Sequence, residues 1–268
     1  MIGFEDFTIL TGNVRGFASR KSHCHMCEIL KRFKPDVVVL CETHTSFDPS
    51  KKNWEKEGYL VVDIIEAEGH SSGLWVLNNG SGPYSFSVIE SVAQCITFKV
   101  TQSNMSRVCS GVYACPTPSV REDLWSYLRG LRTRFVQPWL LLGDFNDILI
   151  PSEQKGGSFS QASAEKFADM IENCNLLDLD FFGSKFTWQS RCRGGLLVSR
   201  RLDRGLCDVD WRLSFPEAIV EHLVRLQSDH NPILLRCCTG VSSRADRPFR
   251  FQAAWCTHEA YPEIVKAA

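Results

Sequence analysis

The chain contains no apolar run approaching the roughly 18 residues that a membrane-spanning helix needs. Its opening MIGFEDF has neither the basic flank nor the apolar centre of a secretory signal, so a soluble, intracellular protein with no membrane partner is expected. An excess of basic charge is also missing. Lys and Arg number 30 against 31 Asp and Glu, a formal net charge of -1, so any grip on a phosphate backbone has to come from a local patch. Neither an internal repeat nor a low-complexity segment is evident, and 44% hydrophobic with 23% charged residues excludes a fibre or a disordered chain. At 268 residues, one large domain plus a tail is the expected organisation.

What is present begins with twelve cysteines. With no export signal these read as reduced thiols, and Cys41, Cys95, Cys109, Cys207, Cys237 and Cys238 lie in or beside β-like apolar stretches where cysteine behaves as a small hydrophobe. The segment HCHMC, residues 23–27, could begin a zinc site, but no second ligand pair is spaced to complete a tetrahedron. Met26, Ile29, Leu30 and Phe33 mark the same segment as an amphipathic helix. The candidate basic patch is Arg191, Arg193, Arg200, Arg201 and Arg204, broken by Gly194 and Gly195. It reads either as a phosphate-binding loop or as a solvated surface.

Along the chain, Phe7 to Val14 reads as a strand, residues 21–33 as a helix, and the solid apolar block from Val37 as a strand covered on both faces: a β-α-β start. Short strands are expected at 59–65, 74–77, 86–92, 95–100 and 108–114, separated by Gly, Asn, Ser or Pro clusters. Ser119 and Glu122 have capping-box spacing before a helix carrying Leu124, Leu128, Leu131 and Phe135. A second helix should start near Ser160 or Ser163. Strands return at 186–188, 199–206, 218–223 and 233–237. Past residue 238 the periodicity is lost, which suggests a domain over 1–238 and a linker with a further segment over 239–268.

Several strands end in polar groups of one kind. WLLLGDFND runs from apolar Trp139 to Asp144, Asn146 and Asp147, and Asn13, Glu42, Asp203 and the Asp229-His230 pair close other strands or loops. A single Asp after a strand is usually a turn former. Strands of one sheet system deliver their ends to a common edge, however, and acids gathered there need a cation or an anionic ligand to balance them.

The motifs GNVRG, LCETH, GVYACP, LLLGDFND, RRLDR and SDHNPI, in this order, resemble the endonuclease/exonuclease/phosphatase superfamily. GLWVL, PWLLLGDFNDIL, the Gly pair after Lys155, FTW, RLDRGLC and SDHNPILL are similar, more narrowly, to the endonuclease domain of plant LINE-type retrotransposons. The resemblance implies an α/β (α+β) four-layer sandwich of two packed mixed sheets flanked by helices, as in deoxyribonuclease I. It implies a metal-dependent phosphodiester hydrolase that nicks one DNA strand, with Mg2+ (Mn2+ as the alternative) as cofactor and DNA as partner. The tail FRFQAAWCTHEAY resembles the segment joining such a domain to a reverse transcriptase, the partner expected in a full-length element and absent from this sequence.

By the same resemblance, Asp144 activates the attacking water, Asn146 orients water or phosphate, His230 contacts the scissile phosphate with Asp203 holding its ring, and Tyr113 donates to phosphate. Glu42 with Asn13 and Asp229 would serve the metal, a hard-oxygen set that suits Mg2+. Substrate contacts fall to Arg191, Arg193, Arg201 and Trp188, the last equally readable as core. Little in the sequence suggests base-edge reading. Two positions depart from the family: Gly12 stands where a tryptophan often precedes the first asparagine, and Arg15 where some apurinic endonucleases carry a further metal-binding Asp. The segment GHSSGLWVLNNG is also eroded relative to the LINE pattern, and with the isolated tail this leaves a catalytically inactive DNA-binding remnant as one alternative; a phosphomonoesterase of the same fold is the other. A nuclear location is inferred from the substrate alone, since no import signal is evident; otherwise the cytoplasm is expected.

Overall fold

The computed structural model describes residues 4, 6–17, 20–48, 53–67, 73–191, 195–225 and 228–237. These fall in one compact unit, Met1–Cys238. The expected linker and joining segment lie outside the described residues, as do Arg193 and Cys238.

The chain opens as expected. β1 (Thr8–Asn13) runs into α1 (Arg20–Phe33) and back into β2 (Val37–Cys41), which lies parallel to β1 with Asn13 opposite Cys41. All of β2 is buried, because one face meets the helices and the other meets a second sheet. After the short α2 (Asn53–Lys56), β3 (Tyr59–Ile65) and β4 (Leu74–Asn79) extend the first sheet. The hairpin series β5 (Ser85–Val92), β6 (Cys95–Gln102) and β7 (Met105–Tyr113) begins the second sheet. α3 (Pro118–Arg132) then crosses over to β8 (Trp139–Asp144), parallel to β7 with Tyr113 opposite Asp144. Thus each sheet contains a parallel β-α-β unit, and both deliver polar residues to strand C-termini.

The remainder is assembled from shorter pieces: β9 (Gln154–Lys155), α4 (Gln161–Asn173), β10 (Leu176–Asp178), β11 (Phe181–Gly183), β12 (Trp188–Arg191), β13 (Leu197–Arg200), β14 (Asp203–Asp208), α5 (Val209–Ser214), β15 (Ile219–His222) and β16 (Ile233–Arg236). The seven-stranded sheet has the order β11-β15-β16-β1-β2-β4-β3 and the six-stranded sheet β10-β14-β8-β7-β6-β5, while β12, β13 and β9 form a small third sheet. One apolar cluster fills the space between the two large sheets, including Val39, Val76, Ile96, Phe98, Leu140 and Leu142. A second packs Leu124, Trp125, Leu128 and Phe167 of α3 and α4 on the six-stranded sheet, and a third packs Met26, Ile29 and Leu30 of α1 on the other. The layers run helix, sheet, sheet, helix, the α/β sandwich anticipated from the motifs.

Three local expectations need correction. The stretch 199–206 is two strands in different sheets, because the backbone N–H groups of Leu202 and Asp203 both donate to Thr187 Oγ1, at 2.9 and 3.0 Å, and pull the chain out of the β13 ladder. The capping box does not form: Pro118 already occupies the first turn of α3, Thr117 makes no side-chain cap, and Glu122 pairs instead with Lys166 of α4. Ser160, by contrast, caps α4 by accepting from Ser163 N.

The third correction concerns the arginines. Arg201 and Arg204 are buried rather than presented to a ligand. Arg201 forks onto Asp178 at 2.6 and 2.8 Å and reaches Glu153 Oε1 at 2.9 Å; Arg204 reaches Asp178 and Glu153 Oε2, each at 2.8 Å. Burial opposes ionisation of Glu153, but Arg204 and Arg201 outweigh it and lower its pKa to about 2. Arg201 is therefore a structural ion-pair member, and the reading of it as a substrate contact does not hold: charges desolvated in a network cannot also meet solvent-borne phosphate.

Candidate active site

The ends of β1, β2, β7, β8 and β14 and the turn before β16 meet at one edge of the sandwich. Asp203, the first residue of β14, lies opposite Asp144, the last of β8. Both carboxylates are buried, at 1% and 0% exposure, which no sequence tolerates without compensating groups. The compensation comes from His230: its Nδ1 is 2.9 Å from Asp203 Oδ2 and its Nε2 3.7 Å from Asp144 Oδ2. Burial disfavours the charged ring, yet Asp203 and Asp144 together overcome this and raise its pKa to about 9. Asp144 is raised to about 7, chiefly by burial and by repulsion from Asp203, with His230 acting in the opposite direction. A carboxylate poised near neutrality beside an imidazolium is suited to proton transfer.

Amide groups complete the setting. Asn13 Nδ2 donates to Asp144 Oδ2 at 2.9 Å and lies 3.4 Å from His230 Nε2. Asn146 turns back over Asp144, its backbone N–H donating to Oδ1 at 2.9 Å while its side chain donates to the carbonyl of Ala114 at 2.8 Å. That reversal demands a left-handed backbone at Asn146, with φ 48°, a conformation Asn tolerates better than most residues. Gly143 is required for a different reason: a Cβ there would stand 1.9 Å from the Val112 carbonyl oxygen, so no side chain fits between β7 and β8 immediately before Asp144.

Beside this cluster stands Glu42, also left-handed at φ 52° and nearly buried. Tyr113 Oη donates to Glu42 Oε1 at 2.9 Å, while Arg15 Nε approaches Oε2 at 3.2 Å. Burial works against the Glu42 carboxylate, but Asn13, Tyr113 and Arg15 more than offset it and hold its pKa below the ordinary value. Burial and Glu42 keep the Tyr113 phenol protonated, so it remains a donor. Arg15 also pairs with Asp229 Oδ2, which in addition accepts the Trp188 indole N–H at 2.8 Å. Asp229 Oδ1 is buried with no hydrogen-bond partner among the described residues.

Two groups of donors could hold a divalent cation. Ionised Glu42 and the orphaned Asp229 Oδ1 are hard oxygens, and an unpartnered buried carboxylate oxygen is costly unless something positive meets it. A second grouping, one ligand atom each from Asp144, Asp203 and His230, lies within 4.8 Å. Its atoms are engaged with one another and with the two asparagines, as Glu42 is with Tyr113 and Arg15 and Asp229 Oδ2 is with Arg15 and Trp188, so either set could take a cation only by giving up a contact it now makes.

Residues 10–230 match the model of the endonuclease/exonuclease/phosphatase family. The chain belongs to this family. No curated protein matches it by sequence. Among solved structures it is similar to the endonuclease domain of TRAS1, a telomere-specific non-LTR retrotransposon, with 14% identity and a TM-score of 0.62 over 86% of this chain and 97% of the other. An apurinic endonuclease from Leishmania major, LMAP, gives 16% identity and a TM-score of 0.69 over 87% of each chain. A 3'-5' exonuclease from Neisseria meningitidis gives 18% identity and a TM-score of 0.64, covering 85% and 98%. At these identities the likeness is one of fold.

Within the family fold, Asn13, Glu42, Tyr113, Asp144, Asn146, Asp203, Asp229 and His230 all converge. Trp188 is half-buried, and its N–H is committed to Asp229, which makes it a support for that carboxylate. Arg191 is exposed at the end of β12. Sequence reasoning overlooked Arg121, a buried side chain that joins the two strand-end loops: it donates to the carbonyls of Cys115 and Pro116 at 2.8 and 3.1 Å and pairs with Asp147 at 3.0 Å. Ser163 at the start of α4 closes the same clamp, its hydroxyl 2.7 Å from Asp147. This explains why WLLLGDFND ends in a further carboxylate: Asp147 anchors the loop that carries Asn146. The signal available in sequence was an arginine on the apolar-spaced face of a helix, at i-3 and i-4 from Leu124 and Trp125. Next to Asn146 opens a cavity of about 320 Å³, whose lining includes Lys166, Arg200 and Gln154.

Proposed function

We propose that the protein is a divalent-metal-dependent DNA endonuclease that nicks one strand and leaves a 3'-hydroxyl. The observation that carries this reading is the buried Asp144-His230-Asp203 set beside ionised Glu42, an arrangement with a poised base, a cationic ring and oxygen donors for a metal at one edge. Asp144, held in place by Asn13 and oriented with Asn146, takes the proton from water as the water oxygen bonds to phosphorus and the phosphorus–O3' bond breaks, and the leaving 3'-oxygen takes a proton from solvent to become the hydroxyl. His230, kept charged by Asp203, offsets the negative charge that grows on the phosphoryl oxygens, and the Tyr113 hydroxyl adds a donor. Glu42 and Asp229 would hold Mg2+, which supplies Lewis-acid polarisation of the phosphate when bound.

DNA is favoured as substrate by exposed Arg191 on β12 and by Arg200, which lines the cavity beside Asn146. The retrotransposon assignment draws on the motif resemblance and on likeness to the telomere-specific element's endonuclease domain. In that setting the 3'-hydroxyl would prime a reverse transcriptase domain, and the protein would act in the nucleus. Nicking of supercoiled plasmid in Mg2+ tests the proposal against Asp144→Ala and His230→Ala. Loss in both variants is expected; equal nicking by all three proteins, or by none, rejects it.

A further inference from the structure

Arg15 leaves β1 through a left-handed turn, with φ 42° followed by Gly16 at φ 104°. The turn is fastened at both ends: Arg15 N donates to Asn13 Oδ1 at 3.2 Å, and Gly16 N donates to the Glu42 carbonyl at 2.7 Å. Its guanidinium is thereby aimed between two carboxylates on different segments, with Nε 3.2 Å from Glu42 Oε2 and Nη1 on Asp229 Oδ2. His44 Nε2 approaches the same Glu42 oxygen at 3.5 Å, and Tyr113 occupies the other. The position that a cation would take between Glu42 and Asp229 is thus filled from within the chain.

We infer that Arg15 is an internal competitor of the divalent ion, a built-in cation that must swing away before Glu42 and Asp229 can both ligate metal. This rests on the nuclease reading of the same site. A guanidinium cannot shed its proton to make way, so it competes at every physiological pH and its only exit is movement. Movement is available: the Arg15 side chain is 52% exposed, whereas Glu42 is only 8% exposed and fixed by Tyr113. With Arg15 in place, the two carboxylates present a net charge of about one rather than two to an incoming ion. The consequence is a metal site that is weak at rest.

Binding of Mn2+ to the full chain without DNA, followed by titration calorimetry and by electron paramagnetic resonance of the free ion, tests this. Arg15→Ala should bind Mn2+ about tenfold more tightly than wild type, whereas Arg15→Lys, which keeps the charge, should stay close to wild type. The rise in Tm on adding Mn2+ should likewise be larger for Arg15→Ala, and Arg15→Gln gives a second uncharged variant should Ala fold poorly. If the uncharged variants bind Mn2+ no more tightly than wild type while wild type nicks plasmid, the competition is refuted and the nuclease reading stands. If no form binds Mn2+ the competition is refuted as well, and absence of nicking by wild type then removes the nuclease reading independently.

Discussion

Asp144 and Asp203 face each other as cross-strand partners on β8 and β14, and His230 spans the two carboxylates with one ring nitrogen toward each. Antiparallel neighbours of like charge repel when placed directly opposite. The pair is tolerable because the imidazolium lies between them while Asn13 and Asn146 donate to Asp144, so each carboxylate makes the histidine more basic and the histidine bridges the strand ends.

Asp203→Asn should leave the ring in place but remove the charge that keeps it protonated. The expected result is a fall in the His230 pKa from about 9, read by NMR titration of its ring carbons. Nicking should drop by about 10²-fold or more, in keeping with the contribution of a positioned acid-base group. An unchanged His230 titration would mean that Asp203 is not its principal partner.

The pH dependence follows from two upward shifts. Asp144 must be ionised to act as base, so the rate should climb with pH through an apparent midpoint at or below about 7. His230 must be charged, so the rate should fall again through about 9. Bound metal favours the Asp144 carboxylate, and raising the Mg2+ concentration should move the acid limb to lower pH and leave the alkaline limb nearly fixed. A profile flat from pH 6 to 10 would count against these roles.

Glu153→Gln should strip Arg201 and Arg204 of one of their two acidic partners. Uncompensated buried charge of this kind costs about 3–5 kcal/mol, measurable by denaturant unfolding. The folded-state pKa of Glu153 lies below its ordinary 4.5, so its stabilisation is present above that pH and is lost as pH falls toward about 2. The Gln variant should accordingly show a shallower decline in stability over that acid range than wild type.

Arg121→Ala should act on catalysis from a distance, because the side chain contacts no reacting group yet ties the Cys115-Pro116 turn after Tyr113 to the Asp147 end of the Asn146 loop. Both lower stability and a reduced kcat are expected, with KM for DNA changing less. Arg121→Lys keeps the charge without the forked geometry and should recover stability more fully than rate.

The sequence carries the long elements plainly. Val37–Cys41 and Trp139–Asp144 are continuous apolar runs because both faces are covered, and their C-terminal acids are visible as abrupt polar stops. The convergence of Glu42, Asp144, Asp203 and His230 was readable only through the order of the motifs, since nothing in spacing alone reveals that β14 returns antiparallel to β8. Charge patterning misled for Arg201 and Arg204: their partners Glu153 and Asp178 are 48 and 23 residues from Arg201, so an ion-pair core looks in one dimension like a basic loop. Strands of two or three residues such as β9 and β11 are too short to show a period.

The reactive edge belongs to neither large sheet alone. Asn13 and Glu42 ride on the seven-stranded sheet, Tyr113, Asp144 and Asp203 on the six-stranded one, and Asn13 to Asp144 and Tyr113 to Glu42 are stitches across the seam. The apolar filling between the plates therefore sets a gauge. Where Gly111 lets the plates close to 2.9 Å between its hypothetical Cβ and Val39, a single added methyl would wedge them apart and misalign chemistry at the rim, so activity should register errors in distant packing before the fold itself fails.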